Sequence, residues 1–454
     1  NPVRTMTDIQ HRFRVPHPLV LLTGCIILAS MASYVLPAGE YERSMDEETG
    51  KIAVVSGTYE QVEQTPVNFF LAMVALPRGM VDAGGVIFLV FLIGGALTVV
   101  DETGALRRGI SSLVRALKGR DLLILAAISL FFATGGVVQN MQEEIIPLIP
   151  VVLIVTTRLG FTPLVAMSIS AGAAFVGSAF SPINPFQVLI AQDAAGVTAV
   201  SGWPFRVVFL LIALVFWIGM TMRYAIRTRV APEIGSTEDP EDALGWRDWV
   251  ILLMLLCTFA LMGYLARIGF NHMSGAFFIM GVLAGAVSGM GPSRIAQAYV
   301  NGFRQMAYAA LLIGFARTIY VVLLDGRIID TIVYGMFQPL ESLPSLASAL
   351  GMVVAQAAIH VPIPSVSSQA VLTMPVLIPL SDLLEISRQV TVLAYQYGAG
   401  LCDLITPTNG ALMAILAAGG VRYEDWIKFT VPLYLGLIAL GGIAIAVGIS
   451  INLQ

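Results

Sequence analysis

The chain carries Ser181-Pro182-Ile183-Asn184-Pro185 in one half and Thr406-Pro407-Thr408-Asn409-Gly410 in the other, with the paired prolines 225 positions apart. Both stretches lie inside apolar runs, 162–196 and 387–420, long enough for the roughly 20 residues that cross a bilayer. Proline removes a backbone donor and frees a carbonyl one turn earlier. Each run therefore reads as a helix broken near mid-depth, and broken chain inside a membrane survives only where protein buries it or it lines a watery cavity.

The same offset extends outward. It lays Pro150-Val151 on Pro375-Val376 and the polar stretch Gln139–Glu144 on Pro364–Gln369. With a small slip, Gly104-Ala105-Leu106 matches Gly326-Arg327-Ile328 and Trp203 matches Trp426. Each half reads as span, surface helix, span, surface helix, hairpin, broken span, span. An extra span at 246–265 precedes the second copy and inverts it. Inverted repeats with interrupted helices point to a secondary transporter whose site lies at the midplane.

Composition agrees. Of 454 residues, 57% are hydrophobic and 12% charged, against about 45–50% and 25% in soluble domains. That leaves too little polar surface for an ordinary cytosolic enzyme. A net charge of −4 gives no reason to expect nucleic acid. Cys25, Cys257 and Cys402 all sit in apolar segments without metal spacing and read as small core residues. The run at 18–36 lacks a small-residue cleavage pattern after it and reads as a retained helix.

Further spans are expected at 84–102, 204–225, 274–290, 308–325 and 427–449. Two blocks, 121–157 and 344–381, are broken in their middles by polar residues and prolines. Arg and Lys gather at the N-terminus, in 103–120 and in 223–247, whereas 37–65 carries seven acids against Arg43 and Lys51. Cytoplasmic loops are enriched in Arg and Lys, so the N-terminus is placed inside and 37–65 outside. The count closes only if each broken block returns to the side it entered from. The sequence thus predicts an all-α polytopic membrane protein with nine transmembrane helices, two re-entrant hairpins and an outside C-terminus. Segments 66–80, 104–118, 293–307 and 327–341 are expected as helices lying in the interface. A multi-pass protein of the cytoplasmic (inner) membrane follows.

Four unwound places are candidates for chemistry: the tips Gly135–Glu143 and His360–Gln369, and the breaks Ser178–Pro185 and Asp403–Gly410. Freed carbonyls and hydroxyls suit a small cation. Half-helix N-termini after Pro185 and Gly410 present N–H groups to an anion. A carboxylate-bearing solute is expected, with Na⁺ or H⁺ as candidate coupling ion. Candidate substrate contacts are Asn140, Glu143, Ser181, Asn184, Arg317, Ser365, Ser367, Ser368, Thr406, Thr408 and Asn409. Candidate coupling residues are Gln139, Glu144, Ser178, His360 and Asp403, and a Na⁺ site is expected at Ser181, Asn184, Thr406 and Asn409. No other cofactor is expected.

Charges inside a membrane are costly and functional by default. Arg317, in the middle of its span, suits a substrate carboxylate; a structural pair with a neighbouring helix, or reach toward Asp325, is the alternative. Glu143 and Glu144 can carry a proton in a dry site, hold a substrate's cationic group, or complement a helix start. Asp82, Asp101, Glu102 and Asp325 sit at span ends and read as interfacial. A passive channel is a rival class, but nothing forms a ring of pore residues. A membrane enzyme is a weaker one: no nucleophile–base spacing or metal pair is visible.

Leu36-Pro37-Ala38-Gly39-Glu40-Tyr41, Gly314-Phe315-Ala316-Arg317, Asp325–Thr331 and Pro407-Thr408-Asn409-Gly410 resemble the YfcC group of C4-dicarboxylate anaerobic carrier-like proteins, in the wider ion transporter superfamily. The resemblance covers nearly the whole chain. It implies a homodimer working as an elevator. The scaffold would be 1–118 and 246–341, the moving transport domain 119–227 and 342–454, and 228–245 a cytoplasmic linker. Related carriers hold carboxylate and Na⁺ with Ser-Asn-Thr tips. Here the tips read Gln139-Asn140-Met141 and Ser365-Val366-Ser367-Ser368, so their ion stoichiometry does not transfer. Members near this group handle C4-dicarboxylates or basic amino acids; Glu143–Glu144 tilts the expectation toward an amino acid.

Overall fold

A computed structural model describes residues 17–45, 52–55, 57–116, 120–230, 244–266 and 269–453. Among the described residues, eight helices are long and apolar enough to cross a membrane: Pro18–Val35, Gly84–Glu102, Asp121–Gln139, Trp203–Arg227, Phe270–Ser288, Pro292–Asp325, Val366–Leu383 and Tyr423–Ser450. Trp246–Ala266 is helical as well. Large apolar side chains such as Val215, Leu256 and Leu435 stand on the outside, where lipid rather than protein would cover them.

Both expected breaks are present, and their causes are local. The first run forms Pro163–Met167, a wide π-helical turn at Ser168–Gly172 and Ala173–Ala179, then resumes at Pro185–Leu189 and Ile190–Ala194. The second forms Arg388–Cys402 and Gly410–Ala418. Each second half-helix starts on an asparagine cap. Asn184 Oδ1 accepts from the amides of Phe186 (2.9 Å) and Gln187 (3.0 Å). Asn409 Oδ1 accepts from that of Leu412 (3.0 Å).

The two polar-tipped blocks each begin and end at one place. Helix Asp121–Gln139 stops at Asn140, whose φ of 57° is left-handed, a conformation asparagine tolerates well. The chain then passes through the tight turn Glu143–Leu148 into Ile149–Arg158. Arg229 pairs with Asp121 at the start of this block. It also donates to Leu159 O at its end (3.4 Å). In the second block, Ser345–His360 leads through 361–365 into Val366–Leu383, and Ser345 Oγ donates to Leu384 O (2.9 Å). Near that root, Arg388 Nη1 donates to Ala195 O (2.9 Å) and Ser387 Oγ to Leu453 O (2.7 Å). The 25-residue helix Trp203–Arg227 runs from Ser201, bonded to Gln389, to the neighbourhood of Arg229. The roots of the two blocks therefore lie near opposite ends of Trp203–Arg227.

Helices 18–35, 69–82, 84–102, 246–266, 270–288 and 292–325 pack together, as do most of the hairpin and broken-helix segments with 203–227 and 423–450; the half-helix Gly410–Ala418 packs on Pro292–Asp325 and the turn Glu143–Leu148 on Gly84–Glu102, joining the two. Within each group some backbones nearly touch. A Cβ at Gly302 would lie 2.5 Å from Gly95 Cα, and one at Gly136 would lie 2.0 Å from Ala174 O. Small residues at such crossings are how helices pack closely in lipid.

Two expectations are corrected. Segment 293–307 is not a separate interfacial helix; it is continuous with 308–325 in the single 34-residue helix Pro292–Asp325. No proline interrupts it after its first turn, and at 1.5 Å per residue its polar first turns extend past a hydrocarbon core of about 30 Å. The loop 37–65, in an otherwise helical chain, holds two antiparallel strand pairs, Gly39–Glu40 with Glu60–Gln61 and Arg43–Met45 with Ile52–Val54.

Candidate functional site

The two groups meet around a cavity of about 430 Å³, within the size range of small-molecule sites. The first tip contributes Gln139, Asn140, Gln142, Glu143 and Glu144; the second contributes Ser365 and Ser367. The second break contributes Asp403, Thr408 and Asn409, and the long helix contributes Arg317 and Tyr320. Ten of the sixteen residues expected from sequence line this one space. The other six do not. Ser368 sits behind the tip, bonded to Ser365 (3.0 Å), and Thr406 is buried in the second break. Ser178, Ser181 and Asn184 form the first break's wall, and His360 lies behind Asp403.

The first break is tied to the first hairpin by uncharged groups. Ser181 Oγ donates to Val137 O (2.7 Å) and accepts from the amides of Ile183 (3.1 Å) and Asn184 (2.9 Å). Asn184 Nδ2 donates to Gly136 O (2.8 Å) and Ser178 Oγ (3.1 Å). Gln187 Nε2 donates to Ser178 Oγ (2.7 Å) and Asn140 Oδ1 (2.8 Å), and Ser178 donates to the same Asn140 oxygen. At the expected Na⁺ site, the Oδ1 atoms of Asn184 and Asn409 already cap helices and both Nδ2 atoms point inward. The side-chain oxygens of both asparagines are thus engaged as helix caps.

The second break is tied to both hairpins through an ionisable side chain. Asp403 Oδ1 accepts from Asn409 Nδ2 (2.7 Å) and faces His360 Nε2 (3.0 Å), and its Oδ2 accepts from Gln142 Nε2 (2.7 Å). Gln142 belongs to the first tip, so the two halves are joined at this carboxylate. Asp403 and His360 are 2% and 0% exposed, and burial of both makes removal of either partner expensive.

Arg317 does not reach Asp325. Its Nε pairs with Asp82, expected as merely interfacial, and its guanidinium stacks 4.7 Å from the Tyr320 ring centroid. Asp325 instead takes Arg78, at 2.5 and 3.0 Å. Arg317 and Asp82 keep 34% and 46% of their side chains accessible, so the guanidinium retains donors facing the cavity. Also on the lining, Glu144 Oε2 accepts from the Gln142 amide (3.1 Å). Among the described residues, neither Glu143 nor Glu144 is paired with a cationic side chain.

Sequence reasoning missed the glutamines and one arginine. Gln142, Gln187, Gln356, Gln369 and Gln396 are all buried and wired. Arg206 is 1% exposed, donating to Ser201 O (2.9 Å) and Gln396 Oε1 (3.3 Å). The available clue was their position: polar side chains inside or beside apolar runs, which are costly there without partners.

Comparison with known proteins gives a consistent result. Residues 15–450 match the family described as DcuC, C4-dicarboxylate anaerobic carrier. The "Putative basic amino acid antiporter YfcC" of Escherichia coli is 29% identical over 489 residues, covering 96% of each chain. An uncharacterized protein of Haemophilus influenzae is 26% identical over 498 residues, covering 97% of this chain and 98% of its own. Among solved structures, the Alcanivorax borkumensis YdaH transporter aligns with a TM-score of 0.47 at 18% identity, covering 96% of this chain and 99% of that one. The Neisseria gonorrhoeae MtrF structure aligns at 0.44 and 16%, covering 96% of each.

Proposed function

The chain belongs to the C4-dicarboxylate anaerobic carrier family, and from that premise we propose that it is a secondary transporter of an amino acid bearing a second, cationic group. The observation that carries this reading is the charge layout of the cavity. Arg317 offers spare donors to an α-carboxylate. Glu143 and Glu144, without cationic partners among the described residues, suit an ammonium or guanidinium. A C4-dicarboxylate would bring like charge against them, and complementarity of sign governs which ligand is accepted. The name of the YfcC relative points the same way. A C4-dicarboxylate or short-chain carboxylate is the second reading, favoured by the family's description and by the amide ends of the two capped half-helices.

In the membrane the protein is a nine-span carrier of the inner membrane, N-terminus inside and C-terminus outside. Both hairpins dip in from opposite faces. Residues 1–118 and 246–341 form the frame of a homodimer, and 119–227 with 342–454 slide as an elevator. Opposite rooting of the hairpins and the site's position between the two packing groups support this. H⁺ or Na⁺ coupling, or exchange, completes the reading.

Counterflow in proteoliposomes tests it. Labelled arginine or ornithine should exchange saturably, with aspartate, succinate and acetate well behind. Succinate exchange without arginine exchange would establish the second reading. Flux that neither saturates nor shows counterflow would replace the carrier with a channel.

A further inference from the structure

The second hairpin tip begins with a histidine, packed on the second break, whose two ring nitrogens both face acceptors. His360 Nδ1 lies 2.9 Å from Gln369 Oε1, and Nε2 lies 3.0 Å from Asp403 Oδ1. The orientation of Gln369 is fixed by the main chain. Its other amide atom sits 2.7 Å from Gln356 O, a backbone carbonyl that can only accept, so that atom must be the NH₂ and Oε1 must face the ring. The far side is fixed likewise. The Leu412 amide holds Asn409 Oδ1, which leaves Asn409 Nδ2 to donate to Asp403 Oδ1 (2.7 Å) and Gln142 Oε1 (3.3 Å). That in turn leaves Gln142 Nε2 to donate to Asp403 Oδ2.

Only two proton arrangements satisfy this wiring. In one, both ring nitrogens carry protons and Asp403 is a carboxylate. In the other, Nδ1 alone is protonated and Asp403 donates its own proton to Nε2. Both contain one proton more than a neutral imidazole beside a carboxylate, and both leave the buried pair with no net charge, as a dry wall requires. Without that proton two lone pairs confront each other at 3.0 Å.

We propose that His360 and Asp403 together form a binding site for one H⁺ per protomer, gated through Gln142 by the first hairpin tip. Withdrawal of that tip removes one of the donors on Asp403, so tip position and proton occupancy bias each other reciprocally. The other titratable groups facing the pair are Glu143 and Glu144 on the tip, and Tyr395 and Cys402 on the adjoining helix. Tyr395 donates to Val366 O, and Cys402 Sγ lies 3.4 Å from Tyr434 Oη. No cationic side chain other than His360 pairs with Asp403 among the described residues. The role of the proton in coupling rests on the carrier reading above; its presence does not.

The test is ¹⁵N magic-angle-spinning NMR on full-length, [¹⁵N]histidine-labelled protein in liposomes at neutral pH, with infrared spectra of the same samples. His360 is assigned by loss of its signals in H360Q. If that variant does not fold, removal of the other three histidines, His11, His17 and His272, leaves His360 alone. A doubly protonated ring is the expected result. A ring protonated only at Nδ1 is equally expected if a protonated-carboxyl band shifts on [4-¹³C]aspartate labelling of the wild type and is lost in D403N. An unprotonated Nδ1, or Nδ1–H without that band, overturns the proton site. Separately, in wild-type proteoliposomes that show counterflow, an imposed pH gradient should drive net accumulation of the same solute at least tenfold. Counterflow without accumulation overturns the coupling role. Absence of counterflow for every solute is a failure of the transport reading, and the spectra still decide the proton site.

Discussion

The two breaks share a backbone device and differ in chemistry. In each, an asparagine caps the second half-helix with Oδ1 and turns Nδ2 onto the residue six positions earlier: Ser178 in the first half (3.1 Å), Asp403 in the second (2.7 Å). The same 225-residue offset sets Gly135 opposite His360. A Cβ at Gly135 would lie 2.7 Å from Met141 Sδ, so the space that His360 takes in the second copy is taken by the Met141 thioether in the first. One copy keeps the fold's broken helix with neutral groups; its inverted partner carries an ionisable pair on the same frame. Duplicated geometry therefore does not imply duplicated chemistry.

The largest effect should come from removing the charged centre. Asp403→Ala strips two buried amide donors of their acceptor and His360 of its partner, and should cost about 3–5 kcal/mol, read as a large drop in Tm of the detergent-solubilised protein. A change near zero would mean the second break is no more charged in practice than the first. Next is Gly136→Ala, which drives a Cβ to 2.0 Å from Ala174 O and should cost about 1–3 kcal/mol by overpacking. The matched position in the second half is Val361, so Val361→Ala should cost less than Gly136→Ala. The reverse order would show that the two hairpins do not meet their broken helices alike.

Ser178→Ala, the neutral counterpart of the aspartate change, should cost about 1–2 kcal/mol, the usual penalty for orphaning buried amide donors. A loss equal to that of Asp403→Ala would erase the contrast between the halves. The smallest stability effect belongs to Arg317→Ala. Its pair with Asp82 is partly exposed, and solvent-accessible pairs contribute about 0–1 kcal/mol. Its effect on solute affinity should be much larger, at least about tenfold, equivalent to 1.4 kcal/mol. Unchanged affinity by ligand-induced thermal shift would reduce Arg317 to a strut for Asp82.

The frame was legible in the sequence because it rests on local physics. Pro182, Asn184, Pro407 and Asn409 break and restart helices wherever they stand, and the offset between them exposes the duplication. The tips were legible because Gln139–Glu144 and Ser365–Gln369 interrupt apolar runs. Partner choice was not legible. Nothing near Asp82 in the chain indicates Arg317, 235 positions away; their meeting depends on how two helices cross. The glutamine wiring was hidden for the same reason: Gln142 reaches Asp403 across 261 positions, and neutral amides announce no charge. The merged helix Pro292–Asp325 was missed because polar residues on its first turns imitate an interfacial segment, and only tertiary packing keeps the helix running.

The central claim is that the two halves enclose one solute site lined by Arg317, Glu143 and Glu144. The most direct test is a cryo-EM structure of the full-length protein with arginine. The account predicts density for the solute between those side chains, its carboxylate at Arg317 and its guanidinium at the paired glutamates. Arginine density elsewhere in the molecule, or an empty cavity in a protein that exchanges arginine saturably, would contradict it.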